Sequence, residues 1–270
     1  MSRVLDAYDQ VPNREPDQDR LDTARLRQPP AFLIIGAQKG GTTSLHHYLS
    51  LHGSVSMAMK KEVHFFDYFS FKGIDWYLAH FALRGEAALT GEASPSYLYH
   101  PEAPSRVHDA LPHVKLIALL RNPIDRAYSH HQMNVRKGIE PLSFEDAIVQ
   151  EPLRLDEGNP DFAGGNWRHF SYVSRGLYAE QLDRWLRVFP REQLLILKSE
   201  EFAHEPAQGF QRVLQFLELP AATLPTYPTR KSGAYPTMRS ETRMRLGAHF
   251  KPYNRRLYDL IDWDLGWDRK

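Results

Sequence analysis

A glycine-rich turn near the start of the chain has the composition of an anion-binding loop. An apolar run at residues 31–35 precedes it, a helical pattern follows it, and between them lie Gln38, Lys39, Gly40, Gly41, Thr42, Thr43 and Ser44. Glycines let the backbone approach an anion closely, and the N–H groups of a helix N-terminus point towards it. In nucleotide kinases the lysine directly precedes the serine or threonine, whereas Lys39 precedes two glycines. The sequence therefore predicts a phosphate loop of a different type.

A second candidate lies at residues 119–129, LLRNPIDRAYS, where an apolar run ends and Pro123 opens a helix. Arg121 stands directly after the apolar run. Its planar guanidinium offers a fork of donors that suits phosphate oxygens. An Arg121–Asp125 surface ion pair is the alternative interpretation.

A third candidate is the run KKEVHFFD at residues 60–67. If this segment is extended, Glu62, His64 and Phe66 lie on one side of it. A carboxylate removes a proton from a hydroxyl only when it lies within hydrogen-bond distance of that hydroxyl. The alternative is an ordinary loop with a solvated Glu62 and a hydrogen-bonded His64.

These candidates need an α/β framework, and the hydrophobic pattern predicts one. We expect strands at residues 31–36, 115–120 and 194–197. Helices are expected at residues 42–51, 74–82, 102–110, 123–136, from Ser143 onward, 175–189, 207–217 and 239–260, the last with a break at Pro252. Residues 156–174 are expected to form a long loop. Alternating strands and helices predict a parallel sheet, whose ligands bind beyond the carboxyl ends of the strands.

Composition limits the function classes. The 270 residues are 42% hydrophobic with a net charge of +1, which allows one sizeable core and argues against a broad nucleic-acid surface. The absence of cysteine excludes disulfides and cysteine-based zinc sites, and the thirteen histidines show no HExxH spacing, so we predict no metal site. No apolar run approaches the ~20 residues of a membrane span, and the polar N-terminus lacks a signal-peptide core. We expect a cytoplasmic protein with a flexible or surface-draped arm at residues 1–30 and a single domain at residues 31–270.

The phosphate loop resembles the 5′-phosphosulfate loop of the sulfotransferases that use 3′-phosphoadenosine 5′-phosphosulfate (PAPS). Residues 60–67 closely resemble a segment of the heparan sulfate glucosaminyl sulfotransferases. The resemblance covers nearly all of residues 31–270. It implies a P-loop-like parallel sheet flanked by helices on both faces. The implied reaction is metal-free transfer of a sulfuryl group from PAPS to a hydroxyl, or less favourably an amine, of a small-molecule, lipid or glycan acceptor, leaving adenosine 3′,5′-bisphosphate (PAP).

The resemblance also implies roles for individual residues. Lys39 would neutralise charge on the leaving oxygen, and residues 38–44 would hold the 5′-phosphate. Arg121 and Ser129 would hold the 3′-phosphate. Glu62 would be the general base, with His64 and Asp67 orienting it or sharing its role. The segment at residues 229–238 resembles a loop that closes over the nucleotide, so its contacts would come from Arg230, Lys231, Ser232 and Gly233.

The segment TGEASPSY at residues 90–97 departs from the family pattern. It keeps Glu92 but has Ala93 where those enzymes carry a lysine, which argues against a sulfated or carboxylated polymer as acceptor. Glu92 is either catalytic or structural, in the second case bonding the backbone of the phosphate loop. Two further alternatives stay open from the sequence: a P-loop kinase for a nucleotide or small molecule, and a non-catalytic adenine-nucleotide-binding protein.

Overall fold

The computed structural model describes residues 15–161, 163–228 and 236–269. Its centre is a five-stranded parallel sheet in the order β2-β3-β1-β4-β5. The strands are β1 Phe32–Gly36, β2 Val55–Met57, β3 Leu89–Ala93, β4 Lys115–Leu120 and β5 Leu194–Lys198. The expected strands β1, β4 and β5 are confirmed. β2 and β3 were not predicted, because β2 is only three residues long and Thr90, Gly91 and Glu92 interrupt the apolar pattern of β3.

The α-helices of the described residues connect these strands. They are α1 Gln18–Asp22, α2 Thr42–Ser50, α3 Ile74–Leu78, α4 Ala103–Ala110, α5 Pro123–Arg136, α6 Phe144–Asp156, α7 Asn166–His169, α8 Tyr178–Leu186, α9 Ser199–His204, α10 Pro206–Phe216 and α11 Ser240–Ile261. The expected long loop therefore contains the short helix α7. In the part of the chain that the structure describes, no helix has both the length and the apolar character needed to cross a bilayer.

Each face of the sheet is covered by helices, as the fold class predicts. Successive side chains of β1 point to opposite faces. Leu33 and Ile35 join a core cluster with residues of α4, α8 and α11. Phe32 and Ile34 join a second cluster with residues of α2 and α10. Since both faces are buried, the central strands are continuous apolar runs rather than alternating ones.

Helix α11 corrects one expectation, because it runs from Ser240 to Ile261 without a break at Pro252. Pro252 is exposed, so its ring lies on the solvent side of the helix. Buried residues on both sides of it, Phe250 and Leu257 among them, hold the two halves against the domain. Tertiary packing of the apolar face outweighs the local cost of one proline.

The expected arm is described only from Glu15 onward, and from there it follows the surface of the domain. Arg20 donates to the carbonyls of Ala79 and Phe81 at 2.6 and 2.7 Å, and Arg27 donates to Phe81 at 2.8 Å. These bonds tie residues 15–30 to the turn after α3. The domain boundary at residue 31 stays a prediction.

Candidate active site

The loop between β1 and α2 is pressed against the end of β4, and glycine makes this approach possible. Ala37 N–H donates to the Leu119 carbonyl at 2.8 Å, and Gly40 N–H donates to the Ala37 carbonyl at 2.8 Å. A Cβ atom on Gly40 would lie 2.3 Å from the Leu119 oxygen. Gly41 has a φ of 97°, in the region that favours glycine. The two glycines therefore fix the shape of the loop.

The N-terminus of α2 opens from this loop with donors available. Ser44 and Leu45 N–H groups donate to the Gly41 carbonyl at 3.0 and 3.2 Å. The N–H groups of Thr42 and Thr43 have no hydrogen-bond partner within the described residues. Free N–H groups at the start of a nine-residue helix, together with the helix dipole, favour an anion there.

Lys39 brings positive charge to the same place. Its backbone is left-handed, with a φ of 71°, and its Nζ lies 3.7 Å from the Met133 sulfur on α5. Burial, and then the cations Arg136 and Arg121, lower the pKa of Lys39 to about 8. Cations that crowd one another in this way are stabilised by an anionic ligand.

Arg121 connects the end of β4 to the phosphate loop, since its Nη1 donates to the Lys39 carbonyl at 3.2 Å. The alternative ion pair with Asp125 is wrong, because Asp125 pairs with Arg243 of α11. Ser129 is 1% exposed, and its hydroxyl has no partner among the described residues. The predicted nucleotide contacts Arg230, Lys231, Ser232 and Gly233 lie outside the described residues.

The segment with Glu62 and His64 is not extended, which corrects the expected geometry. Glu62 and His64 have φ values of 64° and 57°, and a π-helical turn, Phe65–Phe69, follows. The His64 N–H donates to Ser94 Oγ at 3.1 Å, which anchors the turn to the end of β3. Non-glycine residues in this region carry strain, and such strain concentrates at functional sites.

Hydrogen bonds, rather than strand alternation, bring the polar groups of this segment together. His64 lies between two carboxylates, with its Nε2 3.1 Å from Glu62 Oε2 and its Nδ1 2.8 Å from Asp67 Oδ2. The Lys61 ammonium donates to Glu62 Oε1 at 3.0 Å. Asp67 is buried and Glu62 is partly exposed. The chain of contacts therefore ends at the cavity with Glu62.

Glu62 and His64 differ in their protonation states, because their neighbours shift the two pKa values in opposite directions. Burial alone would raise the pKa of Glu62, but the Lys61 ammonium and the hydrogen bond from His64 hold it well below its usual range. Burial alone would lower the pKa of His64, but the Asp67 and Glu62 carboxylates raise it to about 9. Near neutral pH Glu62 is therefore ionised and His64 is protonated.

Glu92 lies behind this segment and not against the phosphate loop. It is 1% exposed, and its carboxylate accepts hydrogen bonds from Tyr77 Oη at 3.3 Å and Ser94 Oγ at 3.4 Å. Burial raises the pKa of Glu92 to about 7. Since Ser94 also holds the backbone of His64, Glu92 supports the Glu62 segment instead of bonding the loop. Ala93 is buried in the core.

One cavity of about 480 Å³ joins these parts. The predicted residues that line it are Gln38, Lys39, Gly41, Thr42, Thr43, Ser44, Glu62, His64 and Arg121. Gly40 and Ser129 are buried and do not form part of the lining. Lining residues that the sequence did not predict are Pro95, Ser96, His130, Met133, Asn134, Lys137, Ile139, Arg168, His169, Ser199, Glu200 and Ala203. The helical spacing of residues 130, 133, 134 and 137 after Arg121 is a signal that would have found four of them.

Comparisons with known proteins show the family of this chain. A family model described as a sulfotransferase domain matches residues 29–245. The chain is 32% identical to heparan sulfate glucosamine 3-O-sulfotransferase 6 of Mus musculus, over 90% of this chain and 75% of the mouse protein. It is 27% identical to the membrane-associated sulfotransferase kil1 of Dictyostelium discoideum, over 88% of this chain and 66% of that protein.

A solved structure shows the same architecture. The sulfotransferase from Alicyclobacillus acidocaldarius superposes with a TM-score of 0.77 at 35% identity, covering 90% of this chain and all of that one. The family match spans most of the described domain, including the phosphate loop, the Glu62 segment and α5. The chain therefore belongs to the sulfotransferase family and is an enzyme of that family.

Proposed function

We propose that this enzyme transfers the sulfuryl group of PAPS to a hydroxyl of a glycan or glycan-like acceptor. The observation that carries the proposal is that the phosphate loop and the Glu62 carboxylate line the same cavity. A transfer reaction needs the donor group and the base on opposite sides of one reacting hydroxyl. One cavity brings the two groups together, which supports the proposal.

The residues around the phosphate loop fit a nucleotide with phosphates at two positions. The free N–H groups of Thr42 and Thr43 suit the 5′-phosphate. Arg121 lines the cavity and suits the 3′-phosphate, whereas the buried Ser129 hydroxyl does not form part of the lining. PAPS, when bound, supplies an activated sulfuryl group. The Lys39 ammonium would stabilise the negative charge that develops on the oxygen left behind, as cations do in phosphoryl transfer.

Glu62 would take the proton of the acceptor hydroxyl. Its carboxylate is ionised and half-exposed at the cavity, whereas the buried Asp67 lies on the far side of His64. His64 is the weaker candidate for the base because its raised pKa keeps it protonated near neutral pH. His64 and Asp67 would instead orient the Glu62 carboxylate.

The glycan acceptor is proposed from the relatives, several of which are named for sulfation of a heparan sulfate glucosamine. The burial of Ala93 in the core leaves no cation there for an anionic polymer.

A kinase is not supported, since Lys39 precedes two glycines and the matching family is that of sulfotransferases. Cytoplasmic location stays a prediction.

The variant Glu62→Gln tests the proposal. It keeps the size of the side chain and removes its basicity, so we expect kcat with radiolabelled PAPS to fall by ~10² or more. The dissociation constant for PAP, measured by calorimetry, should stay within about twofold, since a base contributes little to ground-state binding of the nucleotide.

Glu192→Gln is the matched control, because Glu192 is exposed near the opposite end of β5. It should leave both quantities unchanged. A Glu62→Gln enzyme as active as the parent would place the base elsewhere, and a wild type that binds PAP without turnover on any acceptor would favour the non-catalytic alternative.

A further inference from the structure

The turn that follows the proposed base is too short to satisfy its own backbone. It is the π-helical turn Phe65–Phe69, and its internal bonds run from the Tyr68 and Phe69 N–H groups to the His64 carbonyl, at 3.2 and 2.9 Å. The first N–H groups and the last carbonyls of any helix lack partners within it. Because an unpaired buried polar group is costly, these groups need partners from elsewhere in the fold.

Tyr97 is the partner of the N–H groups at the start of this turn. Its Oη accepts hydrogen bonds from the Phe65 N–H at 2.9 Å and from the Phe66 N–H at 3.4 Å. Tyr97 is 0% exposed, and its ring packs edge-on against that of Phe66 with 5.6 Å between the centroids. Burial, and then the neighbouring Glu92, raise the pKa of Tyr97 well above its usual range. The hydroxyl therefore stays protonated, and its oxygen serves as the acceptor.

Arg106 of α4 holds carbonyl groups of the same turn. Its Nη1 donates to the carbonyls of Phe66 and Asp67 at 3.3 and 3.2 Å. Its Nη2 donates to Asp161 Oδ1 at 2.9 Å, which gives the guanidinium a second anchor. The side chain of Asp67 lies 2.8 Å from His64 Nδ1. Arg106 therefore holds the backbone of the residue whose carboxylate orients His64.

We propose that Tyr97 and Arg106 are positioning residues for sulfuryl transfer, because together they hold the turn that keeps the Glu62 carboxylate at the cavity. The inference rests on the proposed role of Glu62 as the base. Glu62 and His64 have left-handed backbones, which neither residue favours by itself, so contacts from other elements must hold them there. Tyr97 and Arg106 do not form part of the cavity lining, so they act through the turn and not on the acceptor.

The protonation of His64 reports on this geometry without any substrate. The charged groups that face its ring are the Glu62 and Asp67 carboxylates, with the buried Glu92 of β3 behind them. Burial lowers the pKa of His64, but Asp67 and Glu62 raise it to about 9 through contacts of 2.8 and 3.1 Å. If the turn loosens, these contacts lengthen and the pKa of His64 falls. Loss of a neutral hydroxyl changes no charge, and loss of a guanidinium would by itself raise this pKa, so a fall reports the geometry.

The experiment compares the wild type with two variants and a matched control for each. Tyr97→Phe removes one hydroxyl and keeps the ring, and Arg106→Gln removes the guanidinium. Tyr258→Phe is the control for the first, because the Tyr258 hydroxyl also accepts a backbone N–H, that of Trp267 at 3.1 Å. Asp161→Asn is the control for the second, because it removes the charge at the other anchor of Arg106 and leaves the bonds from Arg106 to the turn.

NMR follows the titration of the His64 ring, which is assigned by comparison with His64→Asn. Initial rates are measured with radiolabelled PAPS on the methyl glycosides of glucose, galactose and N-acetylglucosamine, and calorimetry gives the dissociation constant for PAP. In Tyr97→Phe and Arg106→Gln we expect the pKa of His64 to fall from about 9 towards its usual 6.5. We also expect kcat to fall by about tenfold or more, because a misplaced base loses much of its effect, while PAP affinity stays within about twofold. The two controls should leave all three quantities unchanged.

An unchanged titration of His64 in either variant would overturn the inference for that residue. The titration needs no acceptor, so it decides even where none of the three glycosides is sulfated. A loss of PAP affinity as large as the loss of kcat would also overturn the inference, since it would show a general disruption of the cavity. Failure of the proposed function gives different results, namely a wild type that does not bind PAP or a Glu62→Gln enzyme as active as the parent.

Discussion

Lys39 is the residue whose protonation depends most directly on what the cavity binds. Its ammonium is half-buried among other cations, which lowers its pKa to about 8. An anion bound at the N–H groups of Thr42 and Thr43 would act in the opposite direction and raise that pKa. Anion binding and protonation of Lys39 are therefore linked.

We predict that PAP binds more weakly as the pH rises from about 7 to about 9. Below the free-state pKa of about 8, Lys39 is protonated before and after binding, so affinity is independent of its titration. Above this pKa, Lys39 must take up a proton when PAP binds. The free-energy cost of this uptake grows with pH until the pH exceeds the pKa of Lys39 in the bound state. Calorimetry over this range measures the dissociation constant.

Lys39→Ala should bind PAP more weakly at neutral pH, lose most of the pH dependence and show greatly lowered turnover. If its pH profile matches that of the wild type, another group, such as His64, is responsible for the linkage.

At the scale of elements, the phosphate loop depends on its contact with β4. We predict that Gly40→Ala lowers the free energy of unfolding by about 1–3 kcal/mol, because the added Cβ would lie 2.3 Å from the Leu119 oxygen and must push the loop away. The displaced N–H groups should also cost about tenfold or more in PAP affinity. Urea unfolding and calorimetry measure the two effects.

Gly53→Ala is the matched control, since no atom lies within 4 Å of the Cβ it would add. Its unfolding free energy should change by less than about 0.5 kcal/mol. Equal effects of the two substitutions would contradict the proposed close approach.

Helix α11 offers a second test at this scale. We predict that Pro252→Ala raises the free energy of unfolding by about 1–3 kcal/mol, since alanine restores an N–H donor for the Ala248 carbonyl and removes the ring from a helix interior. Met244→Ala in the same helix, at a position 69% exposed, should change little. A Pro252→Ala protein less stable than the parent would show that the proline is needed for the path of α11.

Sequence patterns predicted the elements whose burial is uniform. β1, β4 and β5 are continuous apolar runs, and α5 is marked by its opening proline. β3 was missed because Gly91 and Glu92 have no β preference, and the buried Glu92 accepts hydrogen bonds from Tyr77 and Ser94 that the strand pattern does not reveal. Tertiary contacts decide such strands.

The candidate site divides in the same way. The loop at residues 38–44 and the pair Glu62 and His64 carry short motifs, so residue type and spacing were sufficient to find them. The left-handed backbone of Glu62 was not predictable, because nothing in a glutamate favours it. Cavity residues such as Arg168 come from α7, which the sequence suggested only as loop.

For the whole molecule, the attraction of an anion depends more on where the charged residues lie than on the net charge. The net charge is only +1, yet Lys39, Arg121, Lys137 and Arg168 all line one cavity. Charges in a cleft focus the electrostatic field there. Four cations are therefore gathered at one cavity, where they would favour the proposed anionic nucleotide, without a generally basic surface.

We predict that PAP stabilises the folded protein and that adenosine, which lacks phosphates, does not. At about 100 times its dissociation constant, PAP should add about 2.7 kcal/mol to the free energy of unfolding, which thermal denaturation reports as a higher Tm. Raising the salt from about 0.05 M to about 0.5 M should reduce the shift by screening the cavity charges. Equal shifts with PAP and adenosine, or a salt-independent shift, would show that the phosphates are not what is recognised.

The backbone angles of Lys39, Glu62 and His64 lower the stability of the fold, whereas the side chains of these residues are needed for the proposed turnover. Each residue holds a positive φ that glycine adopts freely and that costs other residues about 1 kcal/mol or more. Selection or engineering for heat resistance alone would favour glycine at these three places. The substitutions would remove the proposed ammonium, base and orienting imidazole. A more thermostable variant that stays active must therefore gain its stability at positions remote from the cavity, such as Pro252.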